Sequence, residues 1–134
     1  MKQMIPGIRT LALVVLLAGP MTTLSATQPD PRARAKEKPI AVQVNNRNFL
    51  DMRIYVVSHG AAWRLGTVSS NTVDQFKLPR FVSSHHDTIR IVAVPIGQRA
   101  EASSQDLLAN PGDRIVFHVE MDLALSNAMI IAGT

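Results

Sequence analysis

The stretch Leu50–Leu78, LDMRIYVVSHGAAWRLGTVSSNTVDQFKL, decides the fold. It predicts three short strands in succession, at Asp51–Ser58, Ala62–Val68 and Thr72–Leu78. Apolar and polar residues alternate along the first strand, which is typical of a strand with one face in the core. The dipeptide His59-Gly60 supplies the first turn, because glycine accepts the positive φ of a tight hairpin. The rest of the chain then adds strands to this predicted meander.

A period of two assigns the faces of the predicted hairpin. The core-facing set contains large apolar side chains: Met52, Ile54, Val56, Trp63 and Leu65. The opposite face of the two strands takes Arg53, Tyr55, Val57, Arg64, Gly66 and Val68. We therefore expect Trp63 to point into the core, as a lone tryptophan in a sandwich usually does.

Further alternating segments lie on both sides of this hairpin. Their core-facing residues are Ile40, Val42 and Val44, then Ile89, Ile91 and Ala93, then Ile115, Phe117 and Val119. The run Asn110–Asp113 predicts a type II turn, with proline and glycine at its two central positions. Residues 98–108 fit an edge strand or a loop, and residues 121–131 fit a last strand at Ala128–Ile131 or a helix.

The count is about seven short strands separated by turn signals, with no sustained helical period. This pattern predicts an all-β fold, a single antiparallel β-sandwich of immunoglobulin-like type over residues 40–134. The chain has no cysteine, so its stability has to come from a hydrophobic core and not from disulfides.

The first 26 residues have the three parts of a secretory signal peptide. Lys2 and Arg9 form a positive region, Leu11–Ala18 is an apolar run, and small residues follow. The alternative is a membrane anchor, but the run is about half of the roughly 20 residues that a spanning helix needs. We therefore expect an exported protein, periplasmic or extracellular, with no transmembrane span in the mature chain.

Residues 27–39, TQPDPRARAKEKP, predict a basic, proline-rich linker. Its four basic residues account for the excess positive charge of the mature chain, since residues 40–134 carry eight basic and eight acidic side chains. The linker is either a solvated spacer or a contact for anionic lipid or wall polymer. A near-neutral domain argues against nucleic acid as a partner, because a nucleic-acid-binding domain carries a basic face.

Several segments together carry a family resemblance: VQVNN at 42–46, LDMRIYVV at 50–57, RLGTV at 64–68, FKLP at 76–79, IRIVAVPIG at 89–97 and NPGDRIVFHV at 110–119. The succession resembles small exported bacterial proteins of unassigned function with a sandwich fold. The resemblance implies the fold and the compartment and no activity.

The candidate metal ligands are His85, His86 and Asp87, which offer two imidazoles and a carboxylate in one loop. Adjacent histidines seldom face one ion, so the prediction favours exposed loop residues and no cofactor. The same loop contains serines, but five consecutive residues do not provide the spatial relations of a catalytic triad. The sequence also has no G-x-S-x-G and no H-E-x-x-H motif, and we expect no enzyme.

The candidate glycan-binding residues are Tyr55 and Trp63, one on each strand of the predicted hairpin. Phe76, Phe81 and Arg64 extend this possible aromatic platform. The sequence therefore predicts a non-enzymatic module that acts by binding or as an envelope component. Its partner is an unidentified envelope or extracellular protein or a glycan.

Overall fold

The computed structural model describes Gly19 and residues 38–83 and 88–134. These residues form eight strands: β1 (Ala41–Asn46), β2 (Met52–Ser58), β3 (Ala61–Val68), β4 (Val73–Lys77), β5 (Ile89–Pro95), β6 (Ala102–Ser103), β7 (Arg114–Val119) and β8 (Asn127–Ile131). A four-residue helix, α1 (Arg80–Ser83), follows β4, and a 3-10 turn, Leu123–Leu125, precedes β8. The predicted signal peptide, apart from Gly19, and the linker up to residue 37 lie outside the described residues.

The strands form two four-stranded sheets around one core. The first sheet has the order β4-β1-β7-β8 and the second the order β3-β2-β5-β6. Five of the six strand pairings are antiparallel, but β1 and β7 run parallel. The predicted all-antiparallel pairing is therefore wrong at β1 and β7. The strand order also differs from the immunoglobulin constant type, where the first two strands pair with each other, because here β1 and β2 lie in different sheets.

The predicted three-strand meander ends after two strands. The β2–β3 hairpin forms as expected, with positive φ at both turn residues, His59 (49°) and Gly60 (74°). The next strand, β4, leaves the second sheet and pairs antiparallel with β1. Consecutive strands are neighbours in only about two-thirds of cases, and no residue near Thr72 signals the change of sheet.

The core lies between the two sheets and contains the predicted apolar phases. The residues Ile40, Val42, Val44, Met52, Ile54, Val56, Ile89, Ile91, Ala93, Ile115, Phe117 and Val119 are all 0–3% exposed. Fully burying one side chain of this kind stabilises a fold by about 1.5–3 kcal/mol before entropy is counted. The period-two phase assigned to β1, β2, β5 and β7 therefore predicted these core residues correctly.

A β-bulge in β3 overturns part of the predicted alternation. Ile54 is opposite Gly66 and Tyr55 is opposite Arg64, so Leu65 is the extra residue. Beyond the bulge the faces exchange, and Val68, predicted to point outward, is fully buried opposite Met52. Gly66 also turns inward, where a Cβ would collide with the ring of Phe76.

The two ambiguous segments adopt short elements. Within residues 98–108, Ala102–Ser103 forms the two-residue edge strand β6 against β5. Within residues 121–131, the 3-10 turn Leu123–Leu125 is followed by β8, which contains the predicted strand Ala128–Ile131, and the alternative long helix does not form. The predicted type II turn at Asn110–Asp113 forms, with φ of 92° at Gly112 and an N–H donated by Asp113 to the Asn110 carbonyl at 3.0 Å. Across residues 38–83 and 88–134, no helix is long and apolar enough to cross a membrane.

Candidate binding surface

The outer face of the second sheet collects aromatic, aliphatic and charged side chains in three rows across the strands. The strand register gives the rows Ala62–Val57–Arg90, Arg64–Tyr55–Val92–Ser103 and Thr67–Arg53–Val94. Opposite residues in such rows typically have Cβ atoms about 4.5–5.5 Å apart, which brings their side chains close together. We call this surface the Tyr55 face.

Tyr55 lies at the centre of the face, with aliphatic side chains around it. Together with Val57, Ala62, Val92, Val94 and Glu101 it lines a shallow depression of about 300 Å³. Val92 forms the floor and is only 9% exposed, although it points away from the core. The strand β5 lies between β2 and β6, so side chains of the neighbouring strands cover Val92.

Two arginines occupy strand positions next to Tyr55 on the same face. Arg64 lies opposite it on β3, and Arg53 precedes it by two residues on the same face of β2. The Arg64 guanidinium donates to the Thr67 hydroxyl at 2.9 Å. Within the described residues neither Arg53 nor Arg64 contacts a carboxylate, whereas Arg90 is paired with Asp106 at 2.7 Å. Two guanidinium groups of the face are therefore available to an anionic ligand.

The predicted partners Tyr55 and Trp63 lie on opposite faces of the hairpin. Trp63 is opposite the buried Val56 and packs, half-buried, against the core. Its ring meets Phe81 edge-on, with centroids 5.2 Å apart and an angle of 65° between the planes. The structure thus divides the predicted platform: Tyr55 and Arg64 share the outer face, while Trp63 lies with Phe81 at the side where β3 and β4 meet.

The candidate metal ligands His85, His86 and Asp87 lie outside the described residues, so that prediction stays untested. His59 is in the hairpin turn, with Nδ1 3.1 Å from the Ser58 hydroxyl, and His118 points outward from β7 in the other sheet. No three histidine, aspartate or glutamate residues within 38–83 and 88–134 cluster in a way that could hold a metal ion.

Sequence reasoning placed Arg53 and Arg64 on the face of Tyr55 but assigned only Arg64 to the binding platform, and it missed the neighbours Val92 and Val94. The sequence was enough to add Arg53 to the platform, because residues two apart on a strand share a face. The sequence could not predict Val92 and Val94 as neighbours, since their place beside Tyr55 and Arg53 depends on the register between β2 and β5, which are separated by about forty residues.

Comparisons with known proteins leave the function open. No protein-family model matches the chain, and no curated protein matches it. A solved NMR structure of a protein from Eubacterium rectale is similar over 72% of this chain and 91% of that one, with 12% identity and a TM-score of 0.44. This likeness is too weak to carry an argument.

Proposed function

We propose that this protein is an exported, non-enzymatic binding module, and that the Tyr55 face is its binding surface. The observation that carries the proposal is the outward-facing ring of Tyr55, set among aliphatic side chains with two arginines that lack carboxylate partners. An apolar centre with a polar rim is the usual anatomy of a recognition surface. The signal-peptide pattern of residues 1–26 supports export.

The face is rigid as well as chemically distinct. Tyr55 and Val92 lie on β2 and β5, the two central strands of the second sheet, each paired on both sides. Residues on such strands are held more precisely than residues on loops, which lowers the entropy lost on binding. The proposal depends on the two-sheet sandwich alone and does not need an immunoglobulin-like strand order.

The size of the face points to a short ligand segment. Three strands about 4.8 Å apart that each contribute about five residues at about 3.3 Å, together with the two-residue β6, give an area of roughly 270 Å². A standard protein interface buries about 800 Å² on each partner. A glycan segment or another extended chain therefore fits this face better than the surface of a folded protein.

Substitution of Tyr55 tests the proposal. Tyr55→Ala should leave the melting temperature almost unchanged and weaken binding by about tenfold, because a stacked ring is lost and no core contact is removed. Binding is measured by the retardation of the purified protein in native gels that contain soluble neutral or carboxylated polysaccharides. Sedimentation with insoluble cell-wall material provides a second assay.

The matched control is Phe49→Ala, which removes a 61%-exposed ring from the β1–β2 connection. It should bind as the unmodified protein does. Equal binding by Tyr55→Ala and the unmodified protein, or no binding in any assay, would overturn the proposal.

A further inference from the structure

We infer that the Tyr55 face takes a carboxylated polysaccharide, in which a sugar ring stacks on Tyr55 and carboxylates bind Arg53 and Arg64. This inference rests on the proposed function and names its ligand class. It comes from the chemistry of the face: a flat ring, two guanidinium groups beside it, and an aliphatic floor formed by Val92.

The positions of the two arginines suit a repeating chain. Arg64 approaches Tyr55 from the neighbouring strand, and Arg53 lies two residues, about 6.6 Å, along the same strand. Because the Arg64 guanidinium binds the Thr67 hydroxyl and Thr67 lies opposite Arg53, a ligand that extends from the ring toward Arg53 meets both arginines. The planar guanidinium fork binds a carboxylate through two parallel hydrogen bonds, and a polymer with one carboxylate per sugar presents such groups at regular intervals.

The other charges on the face favour one orientation of the ligand. Glu101 lines the depression next to Val94, so the strand β5 separates it from Arg53, and the two side chains form no ion pair. Arg90 is neutralised by Asp106. The arginine end of the face is thus positive and the Glu101 end negative, which places carboxylates near Arg53 and Arg64 and sugar hydroxyls, as donors, near Glu101.

The near-neutral charge balance of the face argues against denser polyanions. Arg53 and Arg64 are offset by Glu101 and by the exposed Asp51, which lies two residues before Arg53, so the face carries no net positive charge. Nucleic acids and heavily sulfated polymers are bound by broad basic surfaces, which this balance does not supply. Each exposed guanidinium contributes little alone, so affinity should rise with the length of the polymer and fall with added salt.

Native gels that contain polygalacturonate or its methyl ester test the inference, because the two polymers share a backbone and differ in the carboxylate charge. We expect polygalacturonate to retard the protein and the methyl ester to do so about tenfold more weakly. Arg53→Gln combined with Arg64→Gln should reduce polygalacturonate binding to the level of the ester and leave binding of the ester unchanged.

The matched control is Arg114→Gln, which removes an exposed arginine from β7 in the other sheet and changes the net charge of the chain by one. It should bind polygalacturonate as the unmodified protein does. Equal retardation by the two polymers, with loss in Tyr55→Ala alone, would overturn the carboxylate inference and leave the proposed function standing. Stronger retardation by dextran sulfate than by polygalacturonate would show that the face recognises charge density, and would overturn the carboxylate inference. If no Tyr55-face variant changes binding, both the inference and the proposed function are overturned.

Discussion

The two open sides of the sandwich are closed by different chemistry. At the side where β3 and β4 meet, Trp63 packs against Phe81, and Gly66 lies under the ring of Phe76; we call this the aromatic side. At the side where β6 and β8 meet, the Gln105 side chain binds the backbone of Ala128; we call this the polar side. The comparison shows that one fold can cover its sheet edges either by apolar area or by a few directed hydrogen bonds.

On the polar side, the side chain of Gln105 makes the backbone hydrogen bonds that a neighbouring strand would otherwise make. Gln105 Nε2 donates to the Ala128 carbonyl, and the Ala128 N–H donates to Gln105 Oε1 at 3.4 Å. Farther along the chain, Asp113 accepts the Gly133 N–H at 2.9 Å. An edge strand exposes such groups to other chains, so these contacts both satisfy the backbone and protect β8. Burying large apolar side chains contributes more free energy than a pair of part-buried hydrogen bonds, so changes on the aromatic side should cost more.

The largest effect is expected for Trp63→Ala. A fully buried tryptophan costs about 3–5 kcal/mol when truncated, and the half-buried Trp63 should cost about 2–3 kcal/mol, leaving a folded protein with a lower melting temperature. Urea denaturation measures this, with Arg64→Ala as a control that changes stability by no more than about 0.5 kcal/mol. A Trp63→Ala protein as stable as this control would show that the aromatic side does not support the fold.

A slightly smaller effect is expected for Gly66→Ala. The added methyl group meets the Phe76 ring, and overpacking of this kind costs about 1–3 kcal/mol. Adding Phe76→Leu to Gly66→Ala should recover part of the loss, whereas Phe76→Leu alone should destabilise. Denaturation of the three variants forms a double-mutant cycle, and simple additivity would contradict the predicted contact.

An acid-dependent effect is expected for Asp113. The N–H groups of Asn110 and Gly133 hold the pKa of Asp113 below its usual value, since they stabilise the carboxylate. A carboxyl group with a lowered pKa stabilises the folded state at pH values above its unfolded-state pKa of about 3.9. This stabilisation is lost as the pH falls through the lower pKa of the folded state. Asp113→Asn should therefore cost about 2 kcal/mol at pH 7 and progressively less below about pH 4. A cost independent of pH between 7 and 2.5 would exclude the charge as its origin.

The sequence predicts the fold where its signals are local. Alternation placed Ile54, Ile91 and Phe117 in the core, and glycine placed the turns at Gly60 and Gly112. The bulge at Leu65 has no local signal, because one extra residue breaks the period without changing the composition. The prediction that Val68 points outward failed for that reason.

Prediction of the candidate site is limited by the same lack of local signals in the sequence. That Arg53 and Tyr55 share a face follows from their spacing, so half of the Tyr55 face was readable. The aliphatic floor depends on pairings between distant strands, which the sequence does not encode locally. The β4–β1 and parallel β1–β7 pairings escaped prediction for the same reason.

The smallest expected effect on stability is that of Gln105→Ala, and it distinguishes the two sides most directly. Losing the two part-buried hydrogen bonds to Ala128 should cost about 1 kcal/mol, less than either change on the aromatic side. It should also leave the Ala128 backbone groups unpaired beside Met129, Ile130 and Ile131, which are 36–49% exposed, so that β8 associates with other copies. Sedimentation velocity over a range of concentrations measures this association.

The matched control is Gln75→Ala. Gln75 lies on β4, the edge strand at the far side of the same sheet, and binds the side chain of Gln43 on β1. This variant should show the same sedimentation as the unmodified protein. Gln105→Glu keeps an acceptor for the Ala128 N–H but loses the donor to its carbonyl, and should fall between the two. If Gln105→Ala has the same melting temperature and sedimentation as Gln75→Ala, then β8 is protected by something other than Gln105.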